Sequence, residues 1–381
     1  MEDQRALPVP AARPKRRGGV ATRVVVMLVV GAAIGLLIYF SPRLFFGAIR
    51  PVAARPQLKT GGTSVIFVVT ENVWKGKYAK EKGVDVTCDS AGTTAGVTRM
   101  LEKKYTIAFT HAPVSAELRE KAKKSGCEVV HTPMFLCGVV PAYHIAELKG
   151  KVPLNFTGTV LADIFLGKIK QWDDAAMKAI NPGVNLPAKK ITVVHREDSS
   201  GTTHLFTAYL AAVSPAWTEQ VGPAAAEVKW PEGIAVSRNQ GVAIKIADTD
   251  GAIGYVDRLY TSFQDIKLDF GAVQNKDKSA FVRAEPANLT AAAAAIVAEI
   301  PEDLTFDLIN KPGKDSYPIS GVIYAVCSDR QPEATRKQVV DFLHWATHEG
   351  QADVAKTSFA PLPTDLAARA DHHLEAIKSV P

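Results

Sequence analysis

Three times in this chain a short apolar run passes into a loop of glycine, serine and threonine, and then into a helical pattern. The fullest case is VVHREDSSGTTHLFTAYL. The β-branched run KITVVH predicts a strand, and Leu205, Phe206, Tyr209, Leu210 and Val213 recur at helical spacing. LKTGGTSVIFVVTENVWKGKY repeats the plan, with Gly61, Gly62, Thr63 and Ser64 ahead of Val68, Val69, Val73 and Trp74. VDVTCDSAGTTAGVTRML repeats it again, with Gly92, Thr93, Thr94 and Gly96 ahead of Val97, Met100 and Leu101. Strands alternating with helices predict α/β architecture, and loops at the carboxyl ends of strands in an open sheet converge at a switch point.

The chemistry of these loops is that of an anion site. Asp198 or Ser199 is expected to cap the helix that follows. Its first turn leaves backbone N–H groups without intrahelical partners, at the positive end of the macrodipole. Ser200, Gly201 and Thr202 therefore stand where an anion would sit. Gly201 permits close backbone approach, the hydroxyls of Ser200 and Thr202 add donors, and Arg196 offers a planar fork matched to a tetrahedral oxyanion. Taken alone, the segment reads equally as a capped helix beside a surface ion pair. Three such loops converging make a shared oxyanion site the stronger reading.

At 381 residues and 47% hydrophobic content the chain can bury a sizeable core, and its length suggests two globular units. Much of the net charge of +6 comes from Arg5, Arg13, Lys15, Arg16, Arg17 and Arg23, and no basic stripe with interleaved aromatics follows, so nucleic acid is not an expected partner. Val24 to Phe40 is a run of 17 residues without a charge. With a basic flank before it and no small-residue cleavage site close behind, it predicts a single-pass signal anchor; a cleaved signal peptide is the alternative. Residues 1–23 would then be a cytoplasmic tail, 24–40 the span in the inner membrane and 41–56 a Pro- and Arg-rich tether, with the rest in the periplasm or extracytoplasmic space. Cys88, Cys127, Cys137 and Cys327 match no zinc spacing. They are expected to be buried small residues; pairing cannot be read from sequence, and Cys127 with Cys137 would be the pair if any bridge existed.

Enzymatic motifs are missing from the sequence: no G-x-x-x-x-G-K-[ST], no G-x-S-x-G elbow, no H-E-x-x-H helix. Ser200 and His204 fall at i, i+4 with Asp198 and His195 nearby, which leaves a secreted phosphatase or other hydrolase as the alternative of a different class. A loop of neutral donors suits binding better than bond breaking, so no catalytic residue, cofactor or metal is expected.

The segments ITVVHREDSSGTTHLFTAYLA, LADIFLGKIKQWDDAAMKAINPGVNLP, VKWPEGIAVSRNQGVAIKIADTDGAIGYV, HAPVS and FAPLP together resemble the phosphate-binding proteins that feed the bacterial phosphate ABC transporter. The resemblance covers Gln57 to Pro381. It implies a two-lobed type II periplasmic-binding-protein fold, with residues 57–136 plus 319–381 as lobe one, 137–318 as lobe two, and hinge crossings near Leu136 and Ile319. It also implies a monomer that holds one dehydrated phosphate between the lobes, performs no chemistry on it, and delivers it to permease subunits. Carried over by position, the anion-holding residues are Thr63, Ser64, Thr93, Arg196, Ser200, Gly201 and Thr202, and Asp198 is the acid that orients the arginine. His111, in AFTHAPVS, stands where the family has an aspartate that accepts the phosphate's own proton, and GGTS replaces a longer Gly/Ala-rich turn. Sulfate or arsenate is accordingly the alternative ligand. An imidazole facing the anion is expected to strengthen sulfate binding between about pH 8 and pH 5 as it becomes a cationic donor.

Overall fold

The computed structural model describes residues 55–151 and 153–381. The expected basic tail, the charge-free run and nearly all of the tether lie outside the described residues, and no helix within them is long and apolar enough to cross a membrane.

A mixed sheet organises the chain. Eight of its ten strands form one path: β1 (Gln57–Gly62), β2 (Asp85–Asp89), β3 (Ile107–Thr110), β4 (Val129–His144), β5 (Thr192–Arg196), β6 (Ile234–Val236), β7 (Ala252–Asp257) and β8 (Ile319–Ser328), in the spatial order β2-β1-β3-β8-β4-β7-β5-β6. β1 runs parallel to β2 and β3, and β5 runs parallel to β6 and β7. Between these two parallel trios lie β8 and β4, antiparallel to their neighbours.

β4 reads VVHTPMFLCGVVPAYH, nearly all of it buried, which is the pattern of a strand covered on both faces rather than of one facing water. It changes partner midway: Val129 to Gly138 pair with β8, and Val139 to His144 pair with β7. Pro133 cannot donate to a ladder, and the strand accommodates it beside a register shift between Ile323 and Tyr324, where pairing is already interrupted.

The expected strand–loop–helix units are present. Thr63 caps α1 (Ser64–Val69), which runs through a π-helical turn, Thr70–Trp74, into a further helical segment, Lys75–Lys82. α2 (Thr93–Leu101) packs on β1 and β3, α3 (Gly201–Val213) on β7 and β8, and α4 (Arg238–Ala247) on β5 and β7. α5 (Glu333–Thr347) and α6 (Thr364–Leu374) pack on β4. Two aromatic clusters anchor the layers. Trp74 meets Phe135, Phe342 and Trp345 edge-on at 6.0–6.2 Å between centroids, and Phe206 stacks on Tyr255 at 4.5 Å.

Two expectations are corrected. All four cysteines are free; Cys88, Cys137 and Cys327 are buried as expected, but Cys127 is only half-buried and does not bridge to Cys137. The reason is extension. Cys137 lies eight residues along β4 from its first residue, Val129, and at about 3.3 Å per residue the strand alone carries it some 26 Å away. The helix cap is also displaced. Ser200, rather than Asp198 or Ser199, caps α3, its Oγ accepting the Thr203 N–H at 3.3 Å.

Candidate functional site

Asp198 does not cap because Arg196 claims it. Arg196 ends β5 with a side chain only 4% exposed. Its Nε and Nη2 donate to Asp198 Oδ1 and Oδ2, both at 2.6 Å, a fork-to-fork pair. Burial raises the Asp198 pKa, but its hydrogen bonds to Arg196 and the arginine's charge outweigh that and hold the carboxyl below its usual range. Asp198 also accepts the Arg238 N–H at 3.0 Å. The third guanidinium nitrogen, Nη1, is buried with no partner among the described residues. Leaving a buried donor unpaired costs about 1–3 kcal/mol, so this edge is poised for an acceptor.

The other loops close around it. The Gly92 N–H donates to Gly62 O at 2.8 Å, joining the β1–α1 loop to the β2–α2 loop. Gly62 has φ of 144°, and a Cβ there would lie 2.2 Å from Phe109 O, so the GGTS turn requires glycine at this point. Thr94 Oγ1 and Ser199 Oγ are 3.2 Å apart, which joins the second loop to the third. Buried Asn239, on α4, donates from Nδ2 to Thr202 Oγ1 at 3.1 Å and to Ser64 Oγ at 3.2 Å. Tyr260 OH donates to Ser64 O at 3.2 Å. Thr93 Oγ1 is buried and has no partner among the described residues. A cavity of about 260 Å³ opens here, lined by Ser64, Gly92, Arg196 and Asp198 among others. Thr63, Ser64, Thr93, Arg196, Asp198, Ser200, Gly201 and Thr202 thus belong to three mutually bonded loops, each at a helix amino terminus.

His111 follows β3 and packs on the amino terminus of α3; a Cβ on Gly201 would lie 2.4 Å from its Nδ1. Both ring nitrogens are buried without partners among the described residues. Burial above all, then the charges of Arg196 and His204, push its pKa down to about 3. The imidazole is therefore neutral across pH 5–8, which removes the physical basis for the expected rise in sulfate affinity over that range.

The sequence reading missed what lies beside it. Val139 pairs with Asp257 across β4 and β7, and Cys137, two residues before Val139, shares its face. Ligating atoms of His111, Cys137 and Asp257 consequently lie within 4.8 Å of one another. Asp257 Oδ1 accepts the Leu259 N–H at 3.0 Å, while Oδ2 is buried and unpartnered. Burial raises this carboxyl to about 7. The available signal was an acid at the carboxyl end of a buried strand, GAIGYVD, where the other loops also begin. Among the described residues this buried trio and the exposed set His344, His348 and Asp371 are the two groups whose side chains could ligate a metal.

A hydrolytic arrangement is not assembled. Ser200 Oγ is committed to its cap, and no hydrogen bond among the described residues joins it to His204. His195 stacks on Trp230 at 5.1 Å, with Nδ1 donating to Arg196 O.

Comparison with known proteins follows the same lines. A model of the PBP superfamily domain matches residues 51–349. The phosphate-binding protein PstS of Pasteurella multocida is 35% identical over 295 residues, which cover 77% of this chain and 83% of that one. The crystal structure of a phosphate-binding protein from Stenotrophomonas maltophilia superposes with a TM-score of 0.63 at 18% identity, covering 83% of this chain and 93% of that one. A putative phosphate ABC transporter substrate-binding protein from Clostridium perfringens, with bound phosphate, superposes with a TM-score of 0.55 at 19% identity, covering 81% of this chain and all of that one.

Proposed function

We propose that this chain, which belongs to the PstS family of phosphate-binding proteins within the PBP superfamily, is an extracytoplasmic receptor that holds one inorganic phosphate and delivers it to an ABC permease. The observation that carries the reading is the Arg196–Asp198 fork. It leaves Nη1 buried and without a partner among the described residues, on a side chain that lines the same cavity as Ser64 and Gly92 at two helix amino termini, an arrangement suited to neutralising a dehydrated oxyanion. As a member of a substrate-binding family, the protein is not an enzyme.

The ligand lies between two lobes, residues 57–136 plus 319–381 and residues 137–318, which meet along β4 and β8. Thr63, Ser64, Thr93 and His111 reach it from the first, and Arg196, Ser200, Gly201 and Thr202 from the second. His111 replaces a carboxylate as the proton acceptor: a neutral imidazole has one lone pair, enough for the P–OH of hydrogen phosphate. The charge-free run Val24 to Phe40 tethers the receptor to the inner membrane, so the native protein should fractionate with membranes and keep residues 1–56.

Titration calorimetry of the full chain with phosphate and with sulfate tests the reading. Saturable one-to-one phosphate binding is expected, weaker with sulfate. Absence of phosphate binding, or tighter sulfate binding, would sink it.

A further inference from the structure

On the opposite task from anion capture stands an exposed group that phosphate binding does not use. His344 lies in the last turn of α5, and His348 caps that helix. Asp371 lies on α6. The two imidazoles stack with centroids 4.3 Å apart, and both face one carboxylate: His344 Nδ1 lies 2.8 Å from Asp371 Oδ1, and His348 Nε2 lies 3.2 Å from Asp371 Oδ2.

The hydrogen-bond roles constrain what can occupy that space. His348 Nδ1 is 2.9 Å from His344 O, which only accepts, and 3.1 Å from the Thr347 hydroxyl, whose own hydrogen goes to the Leu343 or His344 carbonyl, so Nδ1 carries the hydrogen. His348 Nε2 then presents a lone pair to a carboxylate oxygen. That contact is repulsive unless Nε2 is also protonated or a cation lies between them. Protonation places an imidazolium against a second stacked ring. A divalent ion satisfies all three groups at once. A ligating histidine whose other nitrogen donates to a backbone carbonyl is the usual orienting arrangement, and His348 already has it.

We propose that His344 Nδ1, His348 Nε2 and the Asp371 carboxylate form a binding site for a borderline divalent transition-metal ion, with Zn²⁺ as the test case. Two imidazoles and one carboxylate suit Zn²⁺, Ni²⁺ or Cu²⁺ rather than Mg²⁺ or Ca²⁺. At bond lengths near 2.0–2.2 Å, tetrahedral ligand atoms stand about 3.3 Å apart. The two imidazoles lie 2.8 and 3.2 Å from one carboxylate oxygen each, and one ligating atom from each of the three residues lies within 4.8 Å of the others, a spacing that side-chain rotation can close on a single ion. On binding, His344 takes its Nε2–H tautomer, His348 releases any Nε2 proton to solvent, and water fills the fourth position, since all three side chains are at least one-third exposed. The ion joins the carboxyl end of α5 to α6, a cross-link between two C-terminal helices.

Equilibrium dialysis of the full chain against Zn²⁺, with total metal counted by elemental analysis, decides the matter. One Zn²⁺ per chain at micromolar concentration is expected. His348→Gln and Asp371→Asn, checked for folding by far-ultraviolet circular dichroism, should each weaken binding by roughly tenfold or more, since removing even an outer partner of a ligand costs about 10–100-fold. No Zn²⁺ binding below millimolar concentration would overturn the proposal. So would binding that both folded variants retain unchanged, which would place the ion elsewhere, for instance at the buried His111, Cys137 and Asp257. The readout does not depend on phosphate.

Discussion

The loops that follow β1 and β2 offer only neutral groups, Thr63, Ser64 and Thr93, whereas the end of β5 offers a buried cation held by a carboxylate of the loop that follows it. Both sit at helix amino termini. The difference separates two tasks that a binding site must perform together. In the proposed site, charge neutralisation falls to one side, where pairing with Asp198 already holds the guanidinium and leaves little side-chain entropy to be lost on binding. The other side supplies directed, uncharged donors, whose value lies in where they point.

The largest test of that division is Arg196→Ala. A charge-assisted hydrogen bond is worth about 1.5–3 kcal/mol, so phosphate affinity by calorimetry should fall by roughly tenfold to a few hundredfold. The division fails if Thr93→Val costs as much, because a neutral donor should contribute only about 0.5–1.5 kcal/mol.

Next in size is the acid behind His111. Folded Asp257 releases its proton near pH 7, against an ordinary value of 3.8. Between those limits the folded state binds more protons than the unfolded one, so this group's contribution to stability is lost as pH rises through about 4 to 7. Asp257→Asn should therefore gain on the parent as pH rises, by on the order of 1–2 kcal/mol once coupling to His111 is allowed for, seen as a growing difference in melting temperature between pH 4 and pH 8. A constant difference would mean that Asp257 is ionised throughout. His111 acts in the opposite sense: with its folded pKa depressed to about 3, it costs stability as pH falls below about 6.5.

A third test asks whether the neutral side contains a hidden switch. Sulfate remains a dianion between pH 5 and pH 8, and buried His111 remains neutral there beside Arg196, His204 and Asp257. In an Asp257→Asn background, which removes the carboxyl that titrates near pH 7 beside His111, sulfate affinity should be flat across that range, and His111→Asp should lower it while retaining phosphate at pH 8. A profile rising several-fold toward pH 5 in that background would show that the bound anion draws a proton onto the imidazole, whereas a rise seen in the parent alone belongs to Asp257.

The smallest expected effect belongs to Asn239→Ala, which removes neutral bonds from Ser64 and Thr202. Phosphate affinity should fall by about two- to tenfold, given about 0.5–1.5 kcal/mol per bond. A loss as large as that of Arg196→Ala would assign Asn239 directly to the anion.

The α/β pattern, the three loops and the Arg196–Asp198 pair were legible because each is written within a few consecutive residues. Asn239 and Asp257 were not. On a helix and at a strand end, in SRNQGVAIK and GAIGYVD, they read as ordinary polar positions until the sheet order brings them to His111, Ser64 and Thr202. Tyr255 likewise gives no local sign that its hydroxyl receives the Arg196 N–H at 3.2 Å and meets Thr203 Oγ1 at 2.8 Å. Ser200 displaced the two expected caps because a buried guanidinium outcompetes a backbone N–H for Asp198, and only burial reveals that competition. Cys127 and Cys137, the pair favoured if any bridge existed, are kept apart by a continuous 16-residue strand that cannot be foreseen from a sequence containing Pro133 and Pro141.

The contacts that the neutral loops make with α4, with the turn after β7 and with the loop after Arg196 have a kinetic consequence. Asn239 to Ser64 Oγ, Tyr260 to Ser64 O, and Thr94 to Ser199 are all neutral bonds at 3.2 Å. Each is worth about 1 kcal/mol, or a factor of about five in a population ratio. Such a latch engages readily and releases readily. A receptor that must surrender its cargo many times is better served by three weak fasteners than by one strong ion pair, because the time the anion stays is then set by the anion's own bonds.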